Sequence, residues 1–176
     1  MTLLRHFLSI ALLPFVVVVL VPRWLLGPHT GETLALPTAP GPSGWSRLAG
    51  AVLFLAGLGL FSWCVLLFAR VGRGTLAPWD PTRRLVAVGP YRHVRNPMIS
   101  GVAAMLAGEA WFFRSVRLAG WFALFVLVNH IYFLTVEEPG LARRFGAAYA
   151  RYRAGVPRWI PRWRAWNDEH PDSGVI

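Results

Sequence analysis

The chain contains a single cysteine, Cys64, and it lies inside an apolar run. That excludes an intramolecular disulfide and any zinc-type cysteine spacing, and leaves the thiol as a small hydrophobe. Lysine is absent: all 18 basic residues are arginine. That choice, with abundant alanine, glycine and proline, fits a GC-rich genome. Acidic side chains are few, 8 against 18 basic ones, for a net charge of +10. Such an excess can mark a nucleic-acid binder, but these arginines fall in loops between apolar spans, as membrane topology requires. No nucleic-acid partner is expected. No metal-ligand set, Ser-His-Asp grouping or phosphate loop is present. Gly57-Leu-Gly59 follows no strand and sits within an apolar helix, so it is no dinucleotide loop. Asp80, between Trp79 and Pro81, is a turn residue.

What the chain does have is apolar length. Hydrophobic residues make up 55% of its 176 residues and mean hydropathy is +0.46, above the range of ordinary soluble domains. A chain of this size makes one unit, a single membrane domain over residues 1–176. The first apolar run, 7–26, is interrupted by Pro14 and Pro22. No small-x-small cleavage pattern follows it, so it is read as a retained, kinked first span rather than a signal peptide. Residues 48–69 form the clearest span, near the ~20 residues that a bilayer helix needs. Gly50, Gly57 and Gly59 mark a face on it where another helix approaches closely. Residues 98–113 form a shorter helix of roughly 24 Å against a hydrocarbon core of ~30 Å. Ala104 and Gly108 give it a small-residue face. The turn Arg114-Ser-Val-Arg117 leads into the last span, 118–136. Pro139 predicts that this helix kinks or ends at Glu137-Glu138. Beyond it, Leu141, Phe145, Tyr149 and Tyr152 recur at helical spacing, which predicts an amphipathic helix on the membrane surface. Trp159, Trp163 and Trp166 extend that interfacial anchor.

The predicted fold class is therefore all-α: an integral membrane helical bundle of about four transmembrane helices, with a cytoplasmic loop and a C-terminal amphipathic interfacial helix. Four crossings put both termini on one side. Arg5, the six arginines of 70–95 and the seven of 143–164 share that face, leaving Arg23, Arg47, Arg114 and Arg117 opposite. The larger group is assigned to the cytoplasm. The expected location is a bacterial cytoplasmic membrane with the polar loop and the glutamate pair at its inner face. Glycine-bearing helix faces permit a homodimer without demanding one.

Two polar clusters abut the apolar runs: Gly89-Pro-Tyr-Arg-His-Val-Arg-Asn-Pro97 and Glu137-Glu138-Pro139. Charge placed there is costly unless it is paired or faces water. Leu85-Val-Ala-Val88 reads as a short extended stretch stopped by Gly89-Pro90. Asn96-Pro97 is a helix start, with asparagine able to cap and proline suited to the first turn. Arg95 is either a snorkelling topological arginine or an anion clamp that grips a carboxylate through its fork. Tyr91 and His93 offer aromatic faces for stacking. Of the adjacent glutamates, one can pair with a loop arginine such as Arg92 or Arg95 while the other meets a ligand amine or ribose hydroxyls. His130 lies seven residues before Glu137, on the same helix face within about 20°. It is a packing residue or a base.

The ordered set Gly89-Pro90-Tyr91, Arg95-Asn96-Pro97 and Glu137-Glu138, followed by Leu141, Phe145-Gly146, Tyr149 and Tyr152, resembles the isoprenylcysteine carboxyl methyltransferase and phospholipid methyltransferase superfamily. The resemblance covers residues 70–163. It implies an integral membrane enzyme that uses S-adenosyl-L-methionine (SAM) without a Rossmann domain, taking cofactor from the cytoplasm and a lipophilic acceptor from the membrane lipids. By position it implies Leu85, Val86, Tyr91, His93, Asn96, Pro97, Met98, Ile99 and Glu137 at the cofactor. Arg95, His130 and Glu138 are the candidate catalytic residues. Two departures stand out. The family's Arg-His-Pro-x-Tyr reads here Arg95-Asn96-Pro97-Met98-Ile99. The arginine that the isoprenylcysteine branch tends to hold a turn before the acidic pair is missing from Ile131-Tyr-Phe-Leu134. The resulting expectation is methyl transfer to a small lipophilic or lipid-linked acceptor, nearest the isoprenylcysteine type. The alternatives are phospholipid N-methylation, thiol S-methylation, and a non-catalytic membrane subunit on the same scaffold.

Overall fold

A computed structural model describes residues 13–27, 44–71 and 85–167. The expected polar loop over 72–84, with Asp80, lies outside them, as do Arg5 and the acidic end. The described residues are mostly helical, with no strand among them; the chief exceptions are an extended stretch at 85–88 and an irregular segment from 156 onward. Leu13–Leu25 is an apolar helix, wound as a π turn over Val16–Leu20 and as α1 over Val21–Leu25. Then come α2 (Gly44–Val71), a 3-10 turn (Gly89–Arg92), α3 (Pro97–Phe113) and α4 (Val116–Tyr132). A second π turn over Phe133–Glu137 leads into α5 (Glu138–Gly155). Two stretches are long and apolar enough to cross a membrane, Gly44–Leu67 and Val116–Gly155, while Leu13–Leu25 and Pro97–Phe113 are shorter. Four crossings were expected; two stretches have the length and hydropathy that a crossing needs. Large apolar side chains on both stretches point outward, among them Leu55, Leu66, Leu127 and Val128. A core helix of a soluble domain would bury them.

The two π turns have one cause. In each, a backbone N–H reaches back five residues, Val21 to Val16 and Glu138 to Phe133, and a proline follows at once, Pro22 and Pro139. A proline has no N–H to donate, and its ring crowds the carbonyl four residues earlier. Widening the preceding turn by one residue relieves that crowding without ending the helix. Of the kink or end expected at Glu137-Glu138, the helix does not end there but changes its winding. The real interruption comes later, at Gly146, whose φ of 49° and ψ of −124° leave helical space.

The described residues divide into two compact units. The first joins the chain up to Gly59 with Gly101–Val128. Its helices meet backbone to backbone. A Cβ on Gly50 would lie 2.6 Å from the Phe112 N and 2.7 Å from the Gly108 O. One on Gly108 would lie 2.7 Å from the Gly50 O, and one on Gly57 2.6 Å from the Gly101 O. Gly59 faces open space. The small-residue faces read from the sequence are thus the α2–α3 seam, except at Gly59. At the end of α3, Arg114 adopts a left-handed φ of 50°. Its N–H bonds the Trp111 carbonyl (3.3 Å) and the Ser115 N–H bonds that of Ala110 (3.2 Å), closing the helix in a Schellman turn. Ser115 then caps α4, its Oγ accepting from the Leu118 N–H at 3.4 Å. Trp121 donates its indole N–H to the Val17 carbonyl at 3.0 Å, tying α4 to the first helix.

The second unit joins Leu60–Ser100 with the chain from Asn129 onward. Its centre is the extended stretch 85–88, whose side chains alternate between two buried clusters. Leu85 and Ala87 pack with Tyr149, Tyr152 and Val156, while Val86 and Val88 pack with Cys64, Tyr91 and Met98. This alters the reading of the amphipathic stripe. Leu141, Phe145, Tyr149 and Tyr152 cover a protein core, so their apolar face is spent within the molecule rather than on lipid. Trp159 and Trp166 are also drawn inward, the first against Phe133 and the second against Tyr152. Trp163 alone of the three is fully outward, 99% exposed.

Candidate functional site

Glycine at position 89 starts the site. Its φ of 56° is left-handed, and a Cβ there would press on the Leu67 side chain at 3.1 Å. Pro90 follows with its own φ fixed, so the chain turns sharply out of the extended stretch into the 3-10 turn. The turn presents Tyr91, Arg92 and His93 in succession before α3 starts. Asn96 gives α3 its first carbonyl, accepting the Ser100 N–H at 3.0 Å and the Ser100 hydroxyl at 2.9 Å. The N–H groups of Met98 and Ile99 precede the first intrahelical bond and stay outside the helical ladder.

Across from this turn, Glu138 is 5% exposed. Its Oε1 accepts from Arg95 Nη1 at 2.9 Å, from Arg158 Nε at 2.7 Å and from Arg158 Nη2 at 2.7 Å. Arg153 Nε stands 3.6 Å from Oε2. A buried carboxylate is tolerable only when paired in this way, and two of its three cations are themselves largely covered. Arg95 also hydrogen-bonds Tyr149, while its Nε is buried without a partner. Glu137, next in the chain, is only half-buried. The pair is thus divided: Glu138 is locked into arginines, and Glu137 keeps access.

Behind the turn, Tyr152 donates its hydroxyl to the Tyr91 carbonyl at 2.7 Å. The Tyr91 phenol is buried and hydrogen-bonds the Cys64 thiol. Burial first, then the proximity of Cys64, Tyr152 and Glu137, pushes its pKa well above the ordinary tyrosine value, so it stays protonated. In front, residues 156–166 form a strap paired with the turn. The Arg95 N–H bonds the Pro157 carbonyl (2.9 Å), the Arg162 N–H that of His93 (3.0 Å), and the Trp166 N–H that of Arg92 (2.9 Å). Side chains repeat the pattern: Arg92 Nε donates to the Trp166 carbonyl at 2.7 Å, and His93 Nδ1 to that of Arg162 at 2.8 Å. A cavity of about 360 Å³ lies between the turn and the strap, lined by Trp63, Gly89, Arg92, His93 and Pro161. No metal-type cluster occurs among the described residues.

The sequence-predicted residues do not share one environment. Arg95 and Glu138 are in direct contact, with Glu137 beside them. His93 lines the cavity. Leu85, Val86, Tyr91 and Pro97 are buried, so they can offer a ligand backbone but little side chain, and Met98 is half-buried against the cluster of Val86 and Tyr91. Ile99 is half-buried on the first turn of α3. His130 is held elsewhere, its Nδ1 accepting the Trp159 indole N–H at 3.1 Å with the rings stacked. Sequence reading missed Arg153, Arg158 and the strap. Their signal was indirect: a buried carboxylate at position 138 demands more cations than a single loop arginine supplies.

No curated protein and no solved structure matches the chain. A family match does exist, to PEMT, phospholipid methyltransferase, over residues 45–148. It spans more than half of the chain and includes the turn at Gly89–Arg92, Arg95 and both glutamates, ending before Arg153, Arg158 and the strap. Members of this family are membrane-associated methyltransferases within the isoprenylcysteine/phospholipid superfamily, and generally use SAM. A helical chain with two apolar stretches able to cross a membrane, and a motif turn closed onto a buried glutamate, belongs to the phospholipid methyltransferase family.

Proposed function

We propose that this protein transfers a methyl group from SAM to a lipid-linked acceptor at the inner face of a bacterial cytoplasmic membrane, in a bundle of four spans with both termini cytoplasmic. One observation carries the reading: the ion pair of Arg95 with Glu138 holds the 89–97 turn against Glu137 within one compact unit. The residues suit the cofactor. Glu137 offers acceptor oxygens for ribose hydroxyls or an amine, the unpartnered Arg95 Nε and the Met98 and Ile99 N–H groups offer donors to a carboxylate, and His93 offers a ring face. When bound, SAM supplies an electrophilic methyl on a sulfonium. The chain's own task is alignment: an in-line displacement gains most from holding reactants collinear in a site closed to water. Arg95 and Glu138 act as a positioning pair. The strap covers the turn and excludes water. His130, committed to Trp159, acts as packing.

For the acceptor, an amine headgroup fits better than a prenylcysteine carboxylate. The turn Ile131–Leu134 carries no cation to receive a carboxylate. An amine must lose a proton before attack, and Glu137, half-open beside the buried Glu138, is the residue placed to take it. Thiol methylation and a non-catalytic subunit are the outcomes to exclude. Calorimetric titration with SAM tests the reading: the wild type binds, while Glu137→Ala and Arg95→Ala bind at least ~10-fold more weakly. A labelled-methyl assay over total lipids then identifies the acceptor. A wild-type chain that binds no SAM refutes it.

A further inference from the structure

The first unit holds an acidic side chain apart from the residues of methyl transfer. Glu109 sits in α3, and its Oε2 is buried with no hydrogen-bond partner. It lines a cavity of about 730 Å³ together with Val18, Leu20, Arg23, Trp24 and Phe113. It also lines a smaller apolar cavity of about 320 Å³ with Gly50, Phe54 and Phe112. A carboxylate oxygen shut away from water without a donor is costly, and a native site with one calls for a missing partner.

Three features say what that partner is. An N–H or O–H donor would satisfy that oxygen, and a cationic one best suits a carboxylate. Arg23, on the rim of the same cavity, offers a fork suited to a phosphate. The position fits a lipid headgroup: Glu109 is one turn from the end of α3 at Arg114, and Arg23 stands beside Trp24, 64% exposed, the residue type that marks a membrane–water interface. Val18 and Leu20 continue the lining with aliphatic surface, where an acyl chain fits. We propose that this cavity is a lipid-binding site, separate from the residues of methyl transfer, for a phospholipid with a primary-ammonium headgroup. The ammonium donates to Glu109 and the phosphate accepts from Arg23. A trimethylammonium headgroup has no N–H to give and is discriminated against on that ground alone. The inference does not rest on the proposed function.

Native mass spectrometry of the full chain, released from dodecyl maltoside micelles, provides the test with phosphatidylethanolamine, phosphatidylcholine and phosphatidylglycerol added at equal amounts. Retained phosphatidylethanolamine should exceed each of the others at least ~10-fold, the scale of one charge-assisted hydrogen bond. Glu109→Gln should remove that advantage, and Arg23→Gln should weaken phosphatidylethanolamine and phosphatidylcholine alike. Free phosphoethanolamine, lacking the acyl chains, should compete poorly. Equal retention of all three lipids, a preference for phosphatidylglycerol, a preference that survives Glu109→Gln, or effective competition by free phosphoethanolamine would each overturn the proposal. If Glu109→Gln fails to fold, Arg23→Gln decides: phosphatidylethanolamine retention unchanged in that variant overturns the proposal. SAM titration of the same samples separates this result from that of the methyl-transfer reading.

Discussion

The two units of this protein are held together by opposite means. In the first, helices touch through glycine, with the Gly50 and Gly108 backbones in mutual contact and Glu109 the one acidic residue in that seam. In the second, an extended stretch, a tight turn and a strap are joined by reciprocal hydrogen bonds and by three arginines on one glutamate. The first depends on what is missing from side chains, the second on what they carry. Apolar helices in a lipid setting gain little from hydrophobic attraction and rely on close packing. Irregular backbone, in contrast, must satisfy every polar group through named partners.

The largest effect should come from the second unit. Glu138→Ala leaves Arg95 and Arg158 buried without their shared anion, and should cost about 3–5 kcal/mol, read as a fall in unfolding free energy in detergent. A loss under about 1 kcal/mol would mean that the cluster is solvated and worth no more than surface pairs. Next comes the seam of the first unit. Gly108→Val forces a side chain into backbone atoms, and a loss of about 1–3 kcal/mol is expected from such overpacking. Tyr152→Phe deletes the hydroxyl that serves the Tyr91 carbonyl, and should cost about 1 kcal/mol. The smallest effect has the opposite sign. Gly59→Ala, on the same helix as Gly50 but facing open space, should stabilise by about 0.5–1 kcal/mol through helix propensity. If Gly59→Ala and Gly108→Val act alike, the seam is not where the structure puts it.

What could be read from the sequence follows the same division. Helices, the small-residue seam, the Arg114 turn and the helix start at Asn96-Pro97 were all legible, because each depends on residues close in the chain or on apolar length. Even Arg95 with a glutamate was foreseeable, since few cations and fewer anions sit at that depth. The arginines at 153 and 158 were not, because nothing local distinguishes them from other surface arginines. The stripe at Leu141, Phe145, Tyr149 and Tyr152 was seen but given the wrong neighbour. Periodicity says that a face is apolar, not whether lipid or Leu85 covers it. Pro139 left a kink and a helix end both open, because the π turn that absorbs it has no sequence signature of its own.

A double-mutant cycle on Arg95 and Glu138, with SAM affinity measured calorimetrically, tests the central claim most directly. If the pair holds the turn against Glu137, each single alanine variant should reduce affinity at least ~10-fold and the double variant should lose little more than either, a coupling of at least about 1.4 kcal/mol. Losses that simply add, or affinity untouched in either single variant, would contradict it.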